Sequence, residues 1–215
     1  MLNNLGNALQ DADLLDEALE VRREVLRRRP GDADAHAMLA VTLRALGRRA
    51  EAQATAEAGL AHHPADGELR VQRAMALLAA GDYARGFPAF EARWEIGEIA
   101  KADHPEPEWA GEPLEGRRIL VLPEQGFGDS ILMSRFLPAL KARGAHVILA
   151  VKPPLRRLFQ GLEGVDELVG LGERRPPADF VTYMMALPGL LGCDPARLPP
   201  SPRLSVPPDA RARAR

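Results

Sequence analysis

Three things are scarce in this 215-residue sequence: cysteine, long apolar runs, and an excess of charge of either sign. The one cysteine, Cys193, has no partner for an internal disulfide, so a fold stapled by cross-links is excluded. A membrane-crossing helix needs about 18 or more consecutive apolar residues, and no segment approaches that length. The opening residues, MLNNLGNALQDADLLDEALE, carry acids and asparagines where a secretory signal needs a basic start and an apolar run. The cytoplasm is therefore the expected compartment. With 28 basic against 30 acidic residues, the net charge of -2 leaves no electrostatic footprint for nucleic acid, although the last residues, DARARAR, are locally basic. No DNA or RNA partner is expected. What the chain does have is 46% hydrophobic residues, enough for the cores of two modest domains.

The first hundred residues repeat themselves. RRRPGDADAH and AHHPADGELR place Pro30 and Pro64 34 residues apart. The same period aligns Leu9, Leu43 and Leu77; Leu5 and Leu39; Ala18, Ala52 and Gly86; and Gly47 with Gly81. The pattern resembles tetratricopeptide repeats, each a pair of antiparallel helices with small residues at their crossing and a proline closing the second. Three units are read, at about 1–32, 33–66 and 67–98. The third has Arg73 in place of leucine and Glu98 in place of proline, as a modified terminal repeat would. The first has no room for the start of its first helix, so a further repeat upstream is expected.

In the tetratricopeptide family the first helix of each unit lines a groove that receives a peptide or a neighbouring domain. The resemblance puts Asn3, Asn7 and Gln10, then Ala37, Val41 and Arg44, then Val71, Met75 and Leu78 on that groove. Asparagine offers donors and an acceptor to an extended peptide backbone, which favours a protein or peptide partner at this end. The apolar members at helical spacing read equally as core.

Between Trp94 and Arg118 the composition turns rich in proline and glycine, marking a linker at 99–117, with the two tryptophans pinning it to a surface. Four β-type runs follow, at 118–123, 146–151, 165–171 and 178–184. Apolar stripes at Ile131, Phe136, Leu137 and Leu140, and at Leu155, Leu158, Phe159 and Leu162, predict helices between the first three. The alternation predicts a parallel sheet in a Rossmann-like α/β domain over 118–200. The fold class is thus multidomain: an all-α solenoid followed by an α/β domain. The proline-rich tail, 201–215, is expected to lack regular structure.

At the end of the first strand lies Glu124-Gln125-Gly126-Phe127-Gly128-Asp129-Ser130, leading into a helix. Open α/β sheets bind ligands at this edge. Gly126 and Gly128 permit backbone angles closed to other residues and allow close approach of a ligand, and the free amides at the helix start favour an anion. A dinucleotide fingerprint would need a small residue at Ile131, and a phosphate-binding loop would need a lysine followed by serine or threonine; neither is present. Asp129 reads either as a functional carboxylate or as a helix N-cap.

This motif and its flanks, through the proline-bearing helix at Pro138, resemble the N-terminal half of glycosyltransferase-like domains of bacterial tetratricopeptide proteins. Those are similar in turn to lipopolysaccharide heptosyltransferases. The resemblance covers about residues 80 to 205. It implies a half GT-B domain in which Asp129 is the general base toward an acceptor hydroxyl, and Gln125, Gly126, Gly128 and Ser130 line the acceptor site. A sugar acceptor and a nucleotide sugar are then the implied partners, with transfer expected only if a donor-binding half follows. The rival reading is a non-catalytic scaffold serving protein contacts alone. No cofactor and no metal are read. His62 and His63 lack ligand-spaced companions, His36, His104 and His146 stand alone, and the arginines at 22–29 read as a solvated helix face.

Overall fold

The computed structural model describes residues 2–97, 99–205 and 208–213, and divides into two compact units, Met1–Ala100 and Lys101–Arg215. Glu98, the position that ends the third repeat, lies outside the described residues.

The first unit is three helical hairpins: α1 (Leu2–Asp11) with α2 (Leu15–Arg28), α3 (Ala33–Ala45) with α4 (Arg49–His62), and α5 (Gly67–Ala79) with α6 (Tyr83–Phe90). The recurring aspartate after each proline has a local task. The Asp32 and Asp66 carboxylates cap α3 and α5, accepting the N–H groups of Ala35 at 2.9 Å and Leu69 at 2.8 Å. Gly47 and Gly81 turn the chain between the helices of their hairpins at φ of 72° and 85°. The same turn in the first repeat falls on Asp13, at φ 59°, the one described non-glycine residue in the left-handed region. Ala18 and Ala52, fully buried, let each hairpin close, while Leu19, Leu39, Leu43, Ala52 and Ala76 form a core running across the repeats.

The second unit is built on a four-stranded parallel sheet of β1 (Arg118–Leu122), β2 (His146–Val151), β3 (Glu167–Gly170) and β4 (Phe180–Tyr183), in the order β3-β2-β1-β4. Ile119, Val121, Val147 and Leu149 point to one face, where they pack with Phe136, Leu137 and Leu140. Their neighbours Leu120, Leu122, Ile148 and Ala150 point the other way and are equally buried, as fits a parallel sheet with both faces covered. Residues 101–117 contribute to this unit. Trp109 N–H donates to the Val181 carbonyl at 2.7 Å, Glu108 pairs beside Val181, and Trp109 and Leu114 enter the core at 3% and 2% exposure.

The connections depart from the predicted pattern in three places. The helix after β1 is broken into α7 (Phe127–Met133), a 3-10 turn at Ser134–Phe136 and α8 (Leu137–Ala142). Pro138, with no N–H, cannot bond the Ser134 carbonyl one turn back. The stripe at Leu155, Leu158, Phe159 and Leu162 is not a regular helix but a 3-10 turn, Pro153–Leu155, followed by turns. Gly161 and Gly164, at φ of 74° and 84°, end the winding, and the leucines still face the core. Beyond β4 come the single turn α9 (Leu187–Leu190) and, in the tail expected to be irregular, the short helix α10 (Pro208–Arg213). A proline at the helix start needs no N–H partner, and alternating alanine and arginine favour helix. No helix among the described residues is long and apolar enough to cross a membrane.

Candidate functional site

Parallel strands bring their carboxyl ends to one edge, and the loop after β1 meets those after β2 and β4 there. Lys152, the first residue after β2, directs its ammonium at the Gln125 carbonyl and stands 5.9 Å from the centre of the Phe127 ring. After β4, Met185 N–H donates to Glu124 Oε1 at 2.9 Å, so Glu124 joins the ends of two adjacent strands. Tyr183, ending β4, accepts the Ala102 N–H at 2.9 Å, and burial pushes its phenol above the ordinary value.

Within the turn, the glycines make no use of the backbone angles that only glycine reaches. Gly126 has φ -68° and ψ 176°, angles open to any residue, and Gly128 lies inside α7. Their use is space: an added Cβ on Gly128 would meet nothing within 4 Å, and one on Gly126 would meet only Asp129 Oδ2, at 3.1 Å. Asp129 is not the N-cap. Gly126 holds that position, and Asp129, three residues on, takes the Gly126 N–H on Oδ2 at 2.8 Å, one half of a capping box. Ser130 is 3% exposed and its hydroxyl donates to the Gly126 carbonyl at 3.2 Å, which commits it to the turn. The structure thus gathers Gln125, Gly126, Asp129 and Ser130 in one hydrogen-bonded turn with Gly128 open beside them. Reading along the chain missed Lys152 and gave Glu124, the first residue of the motif, no role of its own. Each is the first charged residue after a β-run, a position that topology makes significant.

The candidate groove of the first unit is a polar network. Arg22 of α2 is 3% exposed, and its Nη2 donates to Asn7 Oδ1 at 3.0 Å and Gln10 Oε1 at 3.3 Å. The Thr42 hydroxyl donates to the same Gln10 oxygen at 3.0 Å, and Arg44 Nη2 donates to Gln72 Oε1 at 3.1 Å. These bonds tie the first helices of successive repeats together. Burial lowers the affinity of both guanidinium groups for their protons, with Glu68 opposing the shift at Arg44. Arg22 therefore leaves the solvated arginine face expected at 22–29; Arg23, Arg27 and Arg28 do pair with glutamates on the surface. Asn7 is exposed, Asn3 and Val41 are half-buried, Ala37 and Val71 are buried, and Met75 and Leu78 are partly covered.

His36 has a structural place in the helical unit. It is buried, with Nε2 2.9 Å from the Pro30 carbonyl and Nδ1 3.1 Å from that of Thr55. Cys193 is half-buried, and burial, with Asp194 beside it, raises its thiol above the usual value, away from nucleophilic use. Among the described residues no cluster of three or more metal-ligating side chains occurs.

Comparison with known proteins bears on the first unit. Residues 9–78 match the family model described as tetratricopeptide repeat. Protein FlbA of Caulobacter vibrioides is 29% identical over 168 residues, which is 74% of this chain; the chain spans 27% of that protein's length. A solved structure of MamA from Desulfovibrio magneticus is 23% identical, covers 45% of this chain and 54% of that one, and has a TM-score of 0.40. An O-GlcNAc transferase of Thermobaculum terrenum is 13% identical over 69% of this chain and 36% of that one, with a TM-score of 0.42. Over the matched residues the helical unit has the repeat length and the hairpin geometry of that repeat.

Proposed function

We propose that the first unit binds a protein through an extended peptide laid along Asn3, Asn7, Gln10, Val41 and Arg44. The observation that carries this reading is the ladder of bonds from Arg22 through Gln10 to Thr42, and from Arg44 to Gln72. It holds amide and guanidinium groups in fixed positions at the first helices, so a peptide would meet them without first ordering them. Peptides selected on the whole chain test it. Asn7→Ala and Arg44→Ala should each weaken a selected peptide about fivefold or more. Binders indifferent to both substitutions would reject the groove.

A second reading concerns the α/β unit: a Rossmann-like, half GT-B domain that holds a sugar acceptor at the 124–130 turn, with Asp129 as general base. A carboxylate and the Lys152 ammonium at the carboxyl edge of a parallel sheet support it. In this reading Gln125, Gly126, Gly128 and Ser130 shape the acceptor site, and a donor-binding half supplies the nucleotide sugar. Its test is sugar transfer by a protein carrying both halves, in which Asp129→Ala should lower kcat by about 100-fold or more. A rate within about twofold of the parent would remove the assignment.

A further inference from the structure

A cavity of about 530 Å3 opens in the second unit, within the range that takes small molecules, and no residue of the 124–130 turn lines it. One wall is the start of α8 with Pro138, another the turn at Leu162 and Glu163, and the third the segment 199–203. Most of that surface is carbon. The prolines at 199, 200 and 202 bring no N–H, and the Ser134 hydroxyl is spent on the Ile131 carbonyl at 2.8 Å. The remaining donors are the Ser201 hydroxyl, which receives a bond from Arg135 Nη2 at 3.0 Å, and the guanidinium groups of Arg135 and Arg203. Arg135 Nε is buried and finds no acceptor in the protein, and among the described residues neither arginine makes an ion pair. With no ion pair engaging either guanidinium, an anion in the cavity can pair with both.

The charge of the lining selects that partner. Two guanidinium groups against the single carboxylate of Glu163 leave one positive charge for a ligand to balance. We propose that this cavity binds a small carboxylate monoanion with an apolar body: the carboxylate on the Arg135 and Arg203 forks, the hydrocarbon against Pro138, Leu162 and the proline segment. Guanidinium groups bind carboxylates through paired hydrogen bonds, and Glu163 at the rim acts against dianions such as phosphate monoesters.

Benzoate, benzamide and phenyl phosphate, titrated into the whole chain by calorimetry or NMR, test the site. Benzoate should bind saturably, with the neutral isostere benzamide weaker by a factor of about ten or more and phenyl phosphate no tighter than benzoate. Arg203→Gln, at an exposed residue, should weaken benzoate about fivefold, and Arg135→Gln more. Glu163→Gln should tighten phenyl phosphate. No saturation by about 20 mM benzoate, equal binding of benzamide, or benzoate binding untouched by both arginine substitutions would overturn the proposal.

Discussion

Asp13 carries the plainest strain in the molecule. It occupies the left-handed turn that glycine fills at the equivalent positions, Gly47 and Gly81. Asp13→Gly should raise the stability of the helical unit by up to about 1 kcal/mol in urea unfolding, because the relieved Cβ contact outweighs the entropy glycine adds to the unfolded chain. Asp129 allows a sharper separation of roles. Its carboxylate caps α7 through the Gly126 N–H, so Asp129→Ala should cost about 1 kcal/mol while Asp129→Asn, which keeps an acceptor, should cost less than half of that. A base would be lost in both variants alike. Glu167 sets a pH dependence. Bonds from Arg118 at 2.8 Å and His146 at 2.7 Å hold its carboxyl below the ordinary glutamate value. A depressed native pKa means stability that is present at neutral pH and lost as pH falls below the usual glutamate range, toward the native value. Unfolding midpoints of the parent should therefore fall more steeply below about pH 4.5 than those of Glu167→Gln.

Individual elements were legible to different degrees, for physical reasons. The helices of the repeats follow from a 34-residue period and from aspartate caps whose bonds are local, so the sequence near each one suffices. The strands follow from apolar runs of the right length. The stripe from Leu155 to Leu162 misled, because four apolar residues at helical spacing mark what faces the core and not how the backbone winds between them. Proline at 153 and 154 and left-handed glycines at 161 and 164 decided that. The hairpins also meet at a point that only packing reveals. A Cβ on Gly59 of α4 would approach Leu69 Cδ2 of α5 at 2.8 Å and His36 Cβ of α3 at 2.9 Å. Gly59→Ala should then destabilise the helical unit by about 1–3 kcal/mol despite alanine's better helix propensity. An unchanged or raised unfolding midpoint would show that Leu69 moves aside freely.

At the level of the whole chain, the segment 101–117 divides what composition suggests from what folding requires. Its prolines and glycines read as a linker, yet Trp109 and Leu114 are buried in the core of the α/β unit. A fragment starting at residue 101 should give a cooperative unfolding transition, whereas one starting at 118 should lose it, since removing even one buried aromatic side chain costs about 3–5 kcal/mol. Circular dichroism of the two fragments on heating checks this. By itself the sequence determined the repeat period, the parallel-strand alternation and the single thiol, because each is written in residues close along the chain. The tertiary structure alone decided that Arg22 is buried against Gln10, that Lys152 and Met185 meet the 124–130 turn, and that Arg135 and Arg203 share a cavity. Those pairs lie 12 to 68 residues apart, and only the crossing of strands and helices brings them within reach of one another.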